Sequence, residues 1–135
     1  MKGHIIMKLN PDCVRDILLT VEETSSFNRY TCYSVDDMNF DRLRKYSHEE
    51  IIYHIKQCNE SHLISGVQSY DCGDEINIQD LTPSGHQFLA NIRSETNWQK
   101  TKEIANKSGS VALNILETIS RGIAEGAASA LLDQK

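Results

Sequence analysis

The chain specifies an α+β fold, helices packed around a small antiparallel hairpin, and three features of the sequence say so. Two helix starts are written in side-chain chemistry, at Ser47-His48-Glu49-Glu50 and at Thr82-Pro83-Ser84-Gly85. Between them Val67 to Tyr70 and Ile76 to Leu81 suit two strands, separated by the turn-forming Asp71-Cys72-Gly73-Asp74. An amphipathic segment precedes both starts, with Val14, Ile17, Leu18 and Val21 at helical spacing. With 39% hydrophobic and 24% charged residues in 135, the composition is that of a globular domain rather than a disordered chain.

In chain order, Asn10-Pro11-Asp12 supplies a capping side chain, a proline at the first helical position and an acid in the first turn. The helix it opens is expected to end near Glu23, before Thr24-Ser25-Ser26. Asn28 to Val35 contains Tyr30, Thr31, Cys32, Tyr33 and Val35, which favour a short strand. Phe40, Leu43 and Tyr46 suit one face of a short helix, with Arg42, Arg44 and Lys45 pointing elsewhere. Ser47 and Glu50 form a capping box, opening a helix over 48–60 in which Ile51, Ile55 and Cys58 share a face. After the hairpin, Thr82 and Pro83 start a helix carrying Phe88, Leu89 and Ile92 on one side. From Trp98 to Ile123 apolar residues recur every three or four positions, predicting a long amphipathic helix with a break near Ser108-Gly109-Ser110.

Helix, strand, short helix, capped helix, hairpin, helix is the order of a winged helix-turn-helix, here with an additional long C-terminal helix. The capped helix 48–60 takes the place of the recognition helix and the hairpin that of the wing. The expected division is a winged-helix domain at 8–93 and a helical extension at 94–135.

Four ordered segments resemble an uncharacterised family common in phages and prophages of Gram-positive bacteria, domain of unknown function twenty-five thirteen. They are Lys8-Leu9-Asn10-Pro11-Asp12-Cys13-Val14-Arg15-Asp16-Ile17-Leu18-Leu19; Tyr46-Ser47-His48-Glu49-Glu50-Ile51-Ile52-Tyr53-His54-Ile55-Lys56-Gln57; Leu81 through Arg93; and Trp98-Gln99-Lys100-Thr101-Lys102. The resemblance covers nearly the whole chain from Lys8. It implies a winged helix of phage-borne origin and carries no activity with it. One segment departs: where many relatives close the capped helix with an Ala-Gly-Leu turn, this chain has Ser61-His62-Leu63, with Cys58 before it.

Composition narrows the function. A net charge of −5 argues against unselective polyanion binding, which needs concentrated Lys and Arg. No apolar run approaches the roughly 18 residues that span a bilayer, and Met1 to Lys8 lacks the pattern of a secretory signal. A cytoplasmic protein with reduced Cys13, Cys32, Cys58 and Cys72 is the expectation. His54, Cys58 and His62, four apart, are zinc-ligand types. No Cys-x-x-Cys pair accompanies them and His62 falls past the helix end, so a packing role is the plainer reading and no metal or cofactor is expected. Ser84-Gly85-His86 belongs to a helix start rather than to a nucleophile elbow, and no Gly-rich phosphate loop exists, so neither catalysis nor a small-molecule substrate is expected.

Specific DNA binding is the first reading of the fold. Arg44 and Lys45 would clamp phosphates, while His48, Tyr53, Lys56 and Gln57 would face the groove. The alternative is docking on a host or phage protein, because Asp71, Asp74 and Glu75 would repel phosphates at the wing and attract a basic partner. Ile104, Leu116, Ile119 and Ile123 form a stripe expected to fold back or to pair two copies as a homo-oligomer.

Overall fold

In the computed structural model, which describes residues 7–36, 40–109 and 111–133, the described residues are α+β. Five α-helices surround a small antiparallel sheet: α1 (Pro11–Thr24), α2 (His48–Glu60), α3 (Pro83–Ile92), α4 (Glu95–Ser108) and α5 (Leu113–Leu132). The strands are β1 (Thr31–Ser34), β2 (Ile64–Ser65), β3 (Gln68–Tyr70), β4 (Glu75–Ile78) and β5 (Asp80–Leu81). Met1 to Ile6, Asp37 to Asn39 and Ser110 lie outside the described residues, and with them most of the opening octapeptide and the last residue of the expected break.

Three helix starts form as their sequences specify. The Asn10 side chain accepts the Asp12 N–H at 3.0 Å, and Pro11 occupies the first turn, where its missing N–H costs nothing. At α2 both halves of the capping box close: Glu50 N–H donates to Ser47 Oγ and Ser47 N–H to Glu50 Oε1, each at 3.1 Å. Thr82 Oγ1 accepts the Gly85 N–H at 2.9 Å to open α3.

The end of α2 decides how the hairpin is aimed. Leu63 N–H donates to the Cys58 carbonyl at 2.9 Å and His62 N–H to Asn59 at 3.0 Å, the pair of bonds of a Schellman motif. His62 sits at its left-handed position with φ 60°. A non-glycine side chain adopts that left-handed conformation at a steric cost.

The hairpin is broken up more finely than the alternation predicted. Strand order is β1-β4-β3, with Tyr33 opposite Ile76 and Ser69 opposite Ile76 on its other side. The run expected as one strand, Ile76 to Leu81, splits at Gln79. Its last two residues leave for a second ladder, in which Ile64 pairs with Leu81. Ile64 and Ser65, just ahead of the expected hairpin, form the other strand of that ladder. The residues around Phe40 to Tyr46 form only a 3-10 turn at Asp41–Leu43, not a helix. They need no more: Leu43 and Tyr46 are both buried from that turn.

The core joins Val14, Ile17 and Leu18 of α1 to Ile51 and Ile55 of α2 and to Phe88, Leu89 and Ile92 of α3. His54 is fully buried among them, where a half-buried ring was expected. Its Nδ1 faces the Glu50 carbonyl at 2.7 Å and its Nε2 accepts the Asn10 N–H at 2.8 Å. A carbonyl only accepts and an amide only donates, so the ring is neutral with its proton on Nδ1.

The C-terminal region folds back onto this core as two helices rather than one. Gly109, at φ 81°, caps α4 and turns the chain into α5. Trp98 is buried beside α1, and its Nε1–H donates to Asp12 Oδ1 at 2.8 Å. Lys102 Nζ reaches the same oxygen at 2.9 Å. Burial pushes the Asp12 carboxyl up, but the bonds from Lys102 and Trp98 outweigh it and hold it below the usual range. The stripe expected to pair two copies is largely consumed here. Leu116 is fully buried in its own chain and Ile119 packs against the core, because the first half of α5 lies against α3 and α4. Ile104 lies off the buried face of α4, which consists of Trp98, Thr101 and Ala105. Of the four, Ile104 remains exposed and Ile123 half-buried. No helix among the described residues is long and apolar enough to cross a membrane.

Candidate docking groove beside the second helix

With Ile51, His54, Ile55 and Cys58 turned inward, α2 presents the neighbouring face to the hairpin. Ile52 is only half-buried there, at the wall of a groove of about 510 Å³. Glu49, Tyr53 and Lys56 complete the helix side, and Val67, Ser69, Cys72 and Ile76 the hairpin side. Met7, just ahead of α1, borders the same space.

The hairpin is held at its distance from α2 at its tip and through β1. At the tip Asp71, Cys72 and Gly73 take φ of 51°, 55° and 96°, a tight left-handed turn whose glycine faces Ile52. At the start of α2 His48 stacks on Tyr33 of β1, with ring centroids 5.6 Å apart, and its Nδ1 lies 2.7 Å from the Tyr33 hydroxyl. On its other side His48 Nε2 lies 3.4 Å from Asp74 Oδ1. Burial raises the Tyr33 phenol above its ordinary range, and the charges of Asp74 and Glu49 add to it. The phenol therefore stays protonated and bonded to the imidazole.

The residues expected to touch nucleic acid do not form one cationic surface. Arg44 is paired with Asp41 at 3.4 Å and Lys45 with Asp16 at 3.2 Å. Asp16 is itself buried and accepts the Tyr46 hydroxyl at 2.6 Å, so Lys45 neutralises a charge in its own protein. His48 is a bridge between β1, α2 and the hairpin rather than a free reader. Tyr53 and Lys56 do share the groove wall, with Glu49 beside them, while Gln57 is half-buried and does not line it.

The zinc-like trio is not assembled. The two ring nitrogens of His54 are already bonded, Cys58 is buried, and His62 is exposed beyond the helix. Among the described residues no group of three or more His, Cys, Asp and Glu is placed to hold a metal ion. A polar cleft of about 520 Å³ lies between α1, α2 and α4, but Asp12, Asp16, Lys45 and Lys102 on its walls pair with one another. Sequence reasoning missed the groove. Nothing in the spacing of Ile52, Val67 or Cys72 says that they face one groove.

A family model described as "Hypothetical protein (DUF2513)" matches residues 8–111. The chain belongs to this family. The DUF2513 match runs from the start of α1 through α4, so it contains both walls of the groove, while α5 lies beyond it. The chain is also similar to an "Uncharacterized protein" of Haemophilus influenzae, 28% identical over 120 residues, which are 87% of this chain and 95% of that one. No solved structure matches the chain at a significant level.

Proposed function

We propose that this member of DUF2513 is a non-catalytic docking protein on a winged-helix frame, with the groove between α2 and the hairpin as its binding site. The helix order, with β1 completing the sheet of the β3–β4 hairpin beside α2, supports that frame. One observation carries the docking reading. Half-buried Ile52 and Val67, with the buried Ile76 beneath them, form an apolar wall beside Glu49, with Asp71, Asp74 and Glu75 exposed nearby on the hairpin.

An apolar recess lined by Glu49 and Lys56, with three further acids exposed on the adjoining hairpin, suits a protein segment with an apolar anchor and basic flanks, since desolvated anchors give affinity and opposite charges give steering and register. The acids would oppose a phosphate backbone, and Arg44 and Lys45 already answer acids of their own chain. The resemblance to phage-borne proteins makes a host or phage regulatory protein the natural partner.

The test compares tagged wild-type protein with Ile52→Glu after nuclease treatment of the lysate, with melting curves to establish that the variant is folded. A protein bound stoichiometrically by wild-type and lost by Ile52→Glu supports the reading. Binding that vanishes with nuclease, survives Ile52→Glu and is lost in an Arg44→Ala, Lys45→Ala, Lys56→Ala variant would replace docking with DNA recognition.

A further inference from the structure

The three-stranded sheet beside the groove ends at β3. β3 is its outer strand, and among the described residues β3 pairs with β4 alone. Every residue of β3 is exposed, and its sequence, Gln68-Ser69-Tyr70, contains no charge and no proline. Edge strands are ordinarily guarded by lysine, proline or a bulge, because their outward N–H and C=O groups template another strand. At three residues this edge is guarded by its shortness, without lysine or proline, and the groove opens beside it, with Ser69 and Val67 on its wall.

A strand laid along β3 would run about 4.8 Å from it, the ordinary spacing in a sheet. Alternate side chains of that strand would point the same way as Ser69, into the recess over Ile52 and Tyr53. The same added layer would meet the open backbone edge and the uncovered apolar wall together. A helix is a poorer fit: at about 10 Å across it would cover the recess and leave the edge unpaired.

Resting on the docking reading above, we infer that the partner's segment binds as an extended strand added to the free edge of β3. It places alternate apolar side chains over Ile52, while its intervening basic residues face away from α2 and answer the acids exposed on the hairpin. Main-chain bonds then supply affinity with little sequence demand, and the recess supplies the choice of anchor.

The test uses the full chain, ¹⁵N-labelled, titrated with the probe acetyl-Lys-Val-Arg-Leu-Lys-Val-amide and with the same peptide N-methylated at alternate amides. The strand mode predicts shifts at Ile52, Tyr53 and Val67 and slowed exchange of amide protons within Gln68–Tyr70. It also predicts binding weaker by about tenfold or more for the methylated peptide, which loses one or two main-chain bonds. If both peptides bind equally and shift the groove without protecting β3, the strand mode is overturned and the docking reading survives. If neither peptide shifts any groove residue, both fall for segments of this chemistry.

Discussion

Replacing Gly85 with alanine sets helix propensity against packing, and the structure decides the sign. Inside an ordinary helix the change gains about 1 kcal/mol, since alanine restricts the unfolded chain and suits the helix. Gly85, in the first turn of α3, is not an ordinary position. A Cβ there would lie 2.0 Å from the Leu63 carbonyl oxygen and 3.0 Å from its carbon. A comfortable carbon–oxygen contact is about 3.3 Å, so backbone must separate by roughly 1.3 Å.

The backbone in the way is pinned. The same Leu63 carbonyl accepts the Thr82 N–H at 3.0 Å, and the His62 carbonyl accepts the Thr82 hydroxyl at 2.6 Å. Overpacking against fixed backbone costs about 3 kcal/mol, leaving a net loss of about 2 kcal/mol after the propensity gain. For a domain of this size that is a fall of roughly 8 °C in melting temperature. Gly122 and Gly126 of α5 have nothing within 4 Å of the same added atom, so their alanine variants should show equal or greater helicity by circular dichroism. A Gly85→Ala protein melting at or above the parent temperature would refute the close approach of α3 to the end of α2.

Other consequences can be checked by the same means. His62→Gly should raise stability by about 1 kcal/mol in urea titration, because only the side chain opposes the left-handed conformation at the Schellman turn; no gain would mean the turn is not as described. His54→Leu should cost about 2 kcal/mol or more, since it leaves the Asn10 N–H without its acceptor in the interior. Glu22 and Glu23 are held below the ordinary carboxylate range by their bonds to Arg93 and Arg42. A carboxyl depressed in the folded state contributes stability above its unfolded value of about 4.3 and loses it as pH falls through the folded value. The double variant Arg42→Ala, Arg93→Ala should therefore differ from the parent at pH 7, by no more than about 1 kcal/mol per exposed pair, and the difference should shrink as pH falls below the unfolded carboxylate value and through the lowered folded ones. An aromatic disulfide reagent should titrate the exposed Cys32 and Cys72 in the native protein and reach Cys13 and Cys58 only in denaturant. Burial pushes the Cys13 thiol up to about 12 and raises Cys58 as well, which removes the reactive thiolate.

How much of this was legible follows the range of the forces involved. α2 was readable to the residue because Ser47 and Glu50 cap it with groups three positions apart, a contact the sequence contains whole. α1 and α3 were readable for the same reason, through Asn10-Pro11 and Thr82-Pro83. Alternation announced the hairpin but not its division at Gln79. The choice of β5 to pair with β2 is made by Ile64 meeting Leu81, partners seventeen residues apart. The self-association stripe illustrates the same limit. Periodicity identified Leu116 and Ile119 as an apolar face, but a face seeking cover reads the same whether the cover comes from α3 and α4 or from a second chain.

The sequence by itself determined the capped starts of α1, α2 and α3, a break near Gly109, and the hairpin, all of which depend on neighbours within a few positions. Only the tertiary structure decided which charges are spent across the fold: Lys45 on Asp16, and Asp12 on Trp98 and Lys102. It alone opened the groove, because a recess is the space left between a helix and a hairpin that the chain brings together, and no residue encodes that space by its own type. Charge and apolarity can be counted along a chain; whether they remain available to a partner depends on what the fold has already placed against them.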